Sequence, residues 1–345
     1  MYKLFRPLLF KLQPETIHHM TVRLLRILHY VPFARSIMRA VFVRRSPKLE
    51  REVLGLKFPN PVGLAAGFDK DAEVYDMLGG LGFGFVEIGT VTPKAQNGNP
   101  KPRCFRLPKD SAIINRMGFN NRGVQNAVKN LRRRKPGLIV GGNIGKNTLT
   151  PNEQAPCDYL KAFRALYDYV DYFVVNVSCP NVACLTALQS KASTMAIIEP
   201  LRKFRQGQSD YRPILLKISP DLTDEQVDQM IEVVEESKID GIVATNTTTS
   251  REGLKSDPAR VTAIGKGGLS GGPLTLRSRE MVRHIHEKTE GRLPIIGVGG
   301  VMSVEDAEAM LEAGASLVQV YSGFIYEGPG FVKRICKRLA GQSKS

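Results

Sequence analysis

The stretch Tyr172–Ser178, YFVVNVS, decides the fold. Its apolar residues run on without alternation, which marks a strand buried on both faces and therefore a parallel sheet. It ends in a polar turn, Asn176-Val-Ser-Cys-Pro-Asn-Val182, of the kind that faces a ligand. Seven more runs of this type follow the same grammar: VGLAAG (62–67), FVEIGTV (85–91), LIVGGNIG (138–145), ILLKISP (214–220), GIVATNT (241–247), IIGVGG (295–300) and LVQVYSG (317–323). Each but the last is followed by enough chain for a helix, such as DEQVDQMIEVVEESK (224–238). Eight β-then-α units predict an α/β fold, a (β/α)8 barrel. A doubly wound open sheet is the alternative.

Two connections, after the second and sixth strands, are long. Long loops after barrel strands sit on the catalytic face. The polar residues concentrate there too: Lys70, Thr90, Asn143, Asn176, Lys217, Asn246, Gly299, Gly300 and Ser322 each lie at or just past a strand's C-terminal tip. In a barrel these converge on one mouth. GVGG (297–300) and YSG (321–323) fall where barrels commonly bind phosphate, and Ser270 and Gly271 can add to that corner. Together they predict a phosphorylated cofactor across the mouth.

The 345 residues carry a formal charge of +16, which favours an anionic partner. Half of that excess sits in residues 1–45, where nine basic residues face one acid, Glu15. A helix from Pro14 to about Tyr30 is expected, with Ile17, Met20, Leu24, Leu28 and Val31 on one face. A second short helix follows Pro32. This basic, amphipathic helical hairpin reads either as a cap on the main domain or as a surface for anionic lipid.

Five cysteines without a CxxC pair fit a reducing compartment, with Cys104, Cys157 and Cys336 read as structural or surface thiols. No metal site is expected: the five histidines form no HExxH, and His284 and His286 point to different helix faces. No run approaches a membrane span, and no secretory signal is expected. NLRRRK (130–135) reads as a solvated helix end rather than a nucleic-acid patch.

The motifs NPVGLAAGFDKD, GFVEIGTVTPKAQNGNPKPRCFRLP, INRMGFNN, GGNIGKN, VVNVSCPN, LLKISPDL, ATNTT, GGLSGGPL, IIGVGGV and VQVYSGF resemble the dihydroorotate dehydrogenase family, from about Glu50 to Arg338. With LQPETIHHM at the N-terminus, the chain looks most like the class 2, membrane-associated, quinone-using branch. The resemblance implies a hairpin over residues 1–45 giving membrane and quinone access, and a catalytic barrel over residues 46–345. It implies one FMN per chain and oxidation of dihydroorotate to orotate in pyrimidine synthesis. The enzyme would be a monomer held peripherally on the cytoplasmic side of the cell membrane. FMN would contact Ala66, Gly67, Lys70, Thr90, Asn143, Asn176, Lys217 and Thr245, with its phosphate at Ser270, Gly271, Gly299, Gly300, Tyr321 and Ser322. Substrate would meet Lys70, Asn115, Arg116, Met117, Gly118, Phe119, Asn176, Asn181, Asn246 and Thr247. His18 and Arg106 would line the quinone entry.

Cys179 occupies the position of the catalytic base, taking the C5 proton as hydride leaves C6. Here the chain departs from the branch: quinone-using members typically carry serine there, and the soluble class 1 branch carries cysteine. Cys184, Leu185 and Thr186 likewise replace the usual Gly-Leu-Arg. A soluble class 1-like enzyme using fumarate or NAD is therefore the alternative, followed by a flavin barrel for another substrate and a membrane-surface module with an inactive barrel.

Overall fold

The computed structural model describes residues 2–132, 134, 137–178, 188 and 190–341. The chain opens with three helices, α1 (Tyr2–Lys11), α2 (Pro14–Tyr30) and α3 (Ala34–Phe42), and a small antiparallel hairpin, β1 (Arg51–Val53) and β2 (Leu56–Phe58). The barrel begins with β3 (Val62–Leu64) and β4 (Phe85–Val91). An antiparallel pair, β5 (Cys104–Leu107) and β6 (Ala112–Asn115), interrupts it before β7 (Ile139–Ile144), β8 (Tyr172–Asn176), β9 (Ile214–Ile218) and β10 (Gly241–Ala244). A short strand, β11 (Gly268–Gly271), precedes the closing strands β12 (Ile295–Val298) and β13 (Leu317–Val320).

The eight strands β3, β4, β7, β8, β9, β10, β12 and β13 form a closed parallel barrel in sequence order. All eight strands expected from the sequence are present. Helices α4 (Tyr75–Gly80), α5 (Val124–Leu131), α6 (Ala155–Leu166), α7 (Lys191–Gln206) and α8 (Asp224–Ser237) follow the first five in turn. Then come α9 (Pro258–Ile264), α10 (Thr275–Lys288), α11 (Val304–Glu312), α12 (Ser322–Glu327) and α13 (Phe331–Gly341). Helix α8 starts where the sequence makes a reciprocal cap: the Gln226 amide N–H donates to Thr223 Oγ1, and the Thr223 N–H donates to Gln226 Oε1.

Two apolar cores result from the two-residue period of the strands. Phe85, Tyr172, Val174, Leu215, Val243, Ile296 and Leu317 fill the barrel, and Phe58 from β2 closes its lower end against Phe85. The alternate residues, such as Val86, Phe173, Leu216 and Val318, pack outward against the helices. Large rings inside a barrel need small neighbours. A Cβ on Gly63 would lie 2.3 Å from the Phe85 ring, and one on Gly141 would lie 2.2 Å from that of Tyr172.

The long connections after β4 and β10 are not irregular loops. They contribute β5, β6 and β11, which join as a three-stranded antiparallel sheet over the mouth.

The N-terminal helices are docked on this frame. Glu15 pairs with Arg103 at 2.7 Å, and Arg35 pairs with Asp76 at 2.8 Å. The Lys333 ammonium donates to the Val41 carbonyl at 2.6 Å. Helix α1, which the sequence did not reveal, is tied to α12: Tyr2 Oη donates to the Ile325 carbonyl at 2.6 Å, and Arg6 to that of Tyr326 at 2.9 Å. The expected face of α2 is split. Ile17 and Leu28 turn inward with His18, Thr21 and Leu25, whereas Met20, Leu24 and Val31 are exposed. The helix has a wider apolar arc than the barrel covers. Among the described residues, twelve exposed large apolar side chains lie between Leu4 and Val41, and three lie beyond.

Candidate active site

The strand tips enclose one cavity of about 520 Å³ that continues outward beneath α2 and α3. Its polar end is built from inward residues one or two pleats above the apolar layer. Asn143 on β7 is fully buried, and its Oδ1 accepts from Thr90 Oγ1 at 2.6 Å and from Asn176 Nδ2 at 3.3 Å. Asn176 Nδ2 also donates to Thr90 Oγ1 at 3.0 Å. Asn246 Nδ2, just past β10, donates to Asn176 Oδ1 at 3.2 Å and Ser178 Oγ at 3.0 Å. Asn246 Oδ1 in turn accepts from the Thr247 N–H at 2.8 Å. The asparagines expected from three different strands thus form one connected wall, with Asn143 one layer beneath the cavity surface.

Two lysines bring charge to this wall. Lys70 Nζ donates to Asn120 Oδ1 at 3.0 Å, and burial first, then the Arg103 charge, brings its pKa down to about 8. Lys217 on β9 is 6% exposed and lines the cavity, and its ammonium has no hydrogen-bond or ion-pair partner among the described residues. A buried cation with no counter-charge is costly, so this one suits an anionic or electron-rich guest.

A second corner is made for an anion. Ser270 Oγ and Ser322 Oγ lie 2.9 Å apart on the cavity wall beside Gly271, Gly299 and Gly300. Gly299 and Gly300 have φ of +112° and +72°, a path closed to most side chains, and a Cβ on Gly300 would lie 2.2 Å from the Thr275 backbone. Thr245 lines the same side, with its hydroxyl 3.0 Å from that of Ser278. Ala66, Gly67 and Tyr321 line the cavity, and Gly67, at φ +104°, donates its N–H to the Gly89 carbonyl at 2.7 Å. The donor set, with two hydroxyls, exposed main chain and a lone ammonium, fits a phosphorylated aromatic cofactor.

Asn115 at the end of β6, and Met117, Gly118 and Phe119 just after it, roof the cavity. Arg116 does not line it. Its guanidinium turns away to donate to the carbonyls of Ile264 and Lys266 and lies 4.7 Å over the Phe105 ring. At the outer end the lining becomes apolar. His18 packs edge-on to Phe68, their centroids 5.1 Å apart, and burial brings its pKa down to about 3. Arg106 donates to the Leu12 carbonyl at 2.7 Å and sits 4.5 Å over the Phe10 ring. Cys104 is not a surface thiol: it lines this cavity, and burial pushes its pKa up to about 11. Cys179, Asn181, Cys184, Leu185 and Thr186 lie outside the described residues.

Three participants were not picked out from the sequence. Asn120 receives the Lys70 ammonium. Glu87 and Gln319, both fully buried inside the barrel, underpin Asn143. A carboxylate within the otherwise apolar run FVEIGTV was the available signal.

Residues 48–342 match the family model for dihydroorotate dehydrogenase. The chain belongs to the dihydroorotate dehydrogenase family. It is 56% identical over 340 residues to the dihydroorotate dehydrogenase (quinone) of Christiangramia forsetii, covering 98% of both chains. It is 46% identical to the protein of that name from a Synechococcus strain, over 97% of this chain and 91% of the relative. Among solved structures, the dihydroorotate dehydrogenase of Eimeria tenella superposes with a TM-score of 0.85. This holds for its ferulenol complex (36% identity, 95% of this chain, 90% of that one) and for its ligand-free form (37% identity, 94% of each). Dihydroorotate dehydrogenase relatives of the quinone type therefore match over the N-terminal helices as well as the barrel.

Proposed function

We propose that this chain oxidises dihydroorotate to orotate with one bound FMN and passes the electrons to a membrane quinone. The observation that carries the reading is one continuous cavity, polar under the strand tips and apolar beneath the N-terminal helices. A polar oxidisable substrate and an apolar electron acceptor need such different surroundings at the two ends of one space. The quinone designation of the relatives favours this acceptor over fumarate or NAD.

FMN, when bound, supplies the two-electron acceptor beside the substrate. Its holders would be Ala66, Gly67, Thr90, Thr245 and Lys217, with the phosphate at Ser270, Gly271, Gly299, Gly300, Tyr321 and Ser322. Lys217 contributes a fixed positive charge at no cost of reorganisation. Lys70 pairs with the substrate carboxylate. Asn115, Asn176, Asn181 and Asn246 match the alternating donors and acceptors of the substrate ring, since an amide side chain offers both functions. Cys179 takes the C5 proton. A free thiol ionises near pH ~8.5, far below a serine hydroxyl, so a cysteine serves as base at neutral pH without a strong relay.

Residues 1–45 act as the membrane and quinone-access unit, and residues 46–345 as the catalytic barrel. No helix among the described residues is long and apolar enough to cross a membrane. The exposed apolar side chains of α1–α3, interspersed with arginine, support peripheral attachment to an anionic bilayer.

The test is anaerobic addition of dihydroorotate to the purified yellow protein, then reoxidation by a short-chain quinone or by fumarate. Bleaching followed by quinone-dependent return of colour is expected. A flavin that stays oxidised would overturn the substrate assignment, and reoxidation by fumarate alone would overturn the acceptor.

A further inference from the structure

Glu87 is a carboxylate buried at the barrel axis, where an apolar side chain would cost far less. Its two oxygens are both taken by amides: Oε1 accepts from Asn143 Nδ2 at 2.7 Å, and Oε2 from Gln319 Nε2 at 2.6 Å. A carboxylate oxygen accepts and does not donate. Asn143 must therefore turn its NH2 group down to Glu87 and its Oδ1 up to the mouth. That Oδ1 can only meet donors, and it meets Thr90 Oγ1 and Asn176 Nδ2. Asn176 thereby has its NH2 turned inward and its Oδ1 outward, where it receives Asn246 Nδ2.

We propose that Glu87 is a positioning residue that sets the donor–acceptor polarity of Asn143 and Asn176 in the asparagine wall, and hence which ring atoms of the substrate that part of the wall accepts. Without the charge, the Asn143 amide is free to flip by 180°, because its nitrogen and oxygen are nearly isosteric, and Asn176 keeps only the long 3.4 Å contact from the Ser178 N–H to hold its Oδ1 outward. Asn246 is oriented separately, by the Thr247 N–H at 2.8 Å. With the charge, one direction is enforced from β4 through β7 to β8, and it agrees with the direction in which Thr247 holds Asn246. A charge retained in a core at such expense is explained by the uniqueness it imposes on a polar network. This inference rests on the substrate reading above.

Replacement of Glu87 by methionine keeps the length of the side chain but removes both acceptors, so Asn143 Nδ2 and Gln319 Nε2 lose their partner. Glutamine alone would not serve, because Gln319 has an unpartnered Oε1 and can turn to receive a new NH2 group. The reciprocal pair E87Q/N143D restores the original direction. The new amide at position 87 donates to one oxygen of the new carboxylate at position 143, whose other oxygen still accepts from Thr90 and Asn176. Orotate binding to the flavin-loaded proteins, measured by titration calorimetry alongside flavin content and melting temperature, separates the cases. The expected result is a dissociation constant raised about ten- to a hundredfold in Glu87→Met, with most of the loss recovered in E87Q/N143D. Unchanged affinity in Glu87→Met, or a double variant no better than the single, would overturn the proposal. Should Glu87→Met fail to fold, neutron diffraction from deuterated wild-type crystals decides: deuterons of Asn143 Nδ2 directed at Glu87 are expected, and the reverse orientation overturns it. Wild-type protein that ignores orotate would instead sink the substrate reading, while the neutron map would still report the amide polarity.

Discussion

The Glu15 carboxylate on α2 meets the Arg103 guanidinium ahead of β5 at 2.7 Å, with 10% and 7% of the two side chains exposed. This pair clamps the N-terminal helices to the lid over the barrel mouth. Arg103 also donates to the Asn97 and Asn99 carbonyls, so it is held from both sides. Glu15→Gln removes one charge and strands part of the other, at a cost of about 1–3 kcal/mol. Quinone reduction should fall, with anaerobic bleaching by dihydroorotate unchanged, as stopped-flow measurement of each half-reaction would show. Equal loss in both would mean that the clamp serves the whole site.

The same pair has an acid limit. Burial opposes ionisation of Glu15, but the Arg103 hydrogen bond and charge outweigh it, and the folded-state pKa lies below the ordinary value. A depressed carboxylate stabilises above its unfolded pKa, near ~4.3, and loses that contribution as pH falls through the lower folded value. Proteolysis within the first 45 residues should therefore accelerate on acidification below about pH 4, and Glu15→Gln should remove that dependence.

Lys70 carries a pH signature of the opposite kind. Burial lowers its pKa to about 8, so the ammonium proposed to meet the substrate carboxylate is lost above that pH. The kcat/KM for dihydroorotate should decline as pH rises past about 8, since this ratio reports the free enzyme. Lys70→Ala should abolish the limb and lower kcat/KM about a hundredfold. A limb that persists in the variant would assign it to another group.

Cys179→Ser should slow bleaching about ten- to a hundredfold at pH 7, with the deficit shrinking as pH rises. A serine variant as fast as the parent at every pH would remove the thiol from the chemistry.

Phe33, just before α3, and Ile37 on that helix are 79% and 61% exposed. Replacing both by glutamate should weaken cosedimentation with anionic vesicles at least tenfold, since each removes apolar area and adds repulsion. Bleaching by dihydroorotate should not change. Vesicle binding that survives would locate attachment elsewhere.

The barrel was legible because its strands are continuous apolar runs, and the mouth because each run ends in a polar or glycine residue. Helices α2 and α3 were legible from Pro14, Pro32 and their apolar spacing. What escaped shares one cause, dependence on partners far away in the chain. Strands β5, β6 and β11 are four residues each, and Leu269 pairs with Ile114 across more than half the barrel's sequence. Helix α1 contains Pro7 and gains its hold from Ile325 and Tyr326. The inward face of α2 could not be chosen, because apolar residues surround more of that helix than the barrel covers. Arg116 sits within a motif of cavity residues, yet its long side chain reaches the opposite side.

Tyr2 and Ile325 lie 323 positions apart, yet one donates a hydrogen bond to the other. During synthesis, α1 emerges first and cannot reach its seat until α12 has left the ribosome. Over that interval Leu4, Phe5 and Leu8 have no protein surface to settle on, and even in the finished enzyme they stay 80%, 61% and 65% exposed. The apolar end of the cavity is thus completed only as the barrel itself closes, because α12 follows the last barrel strand directly.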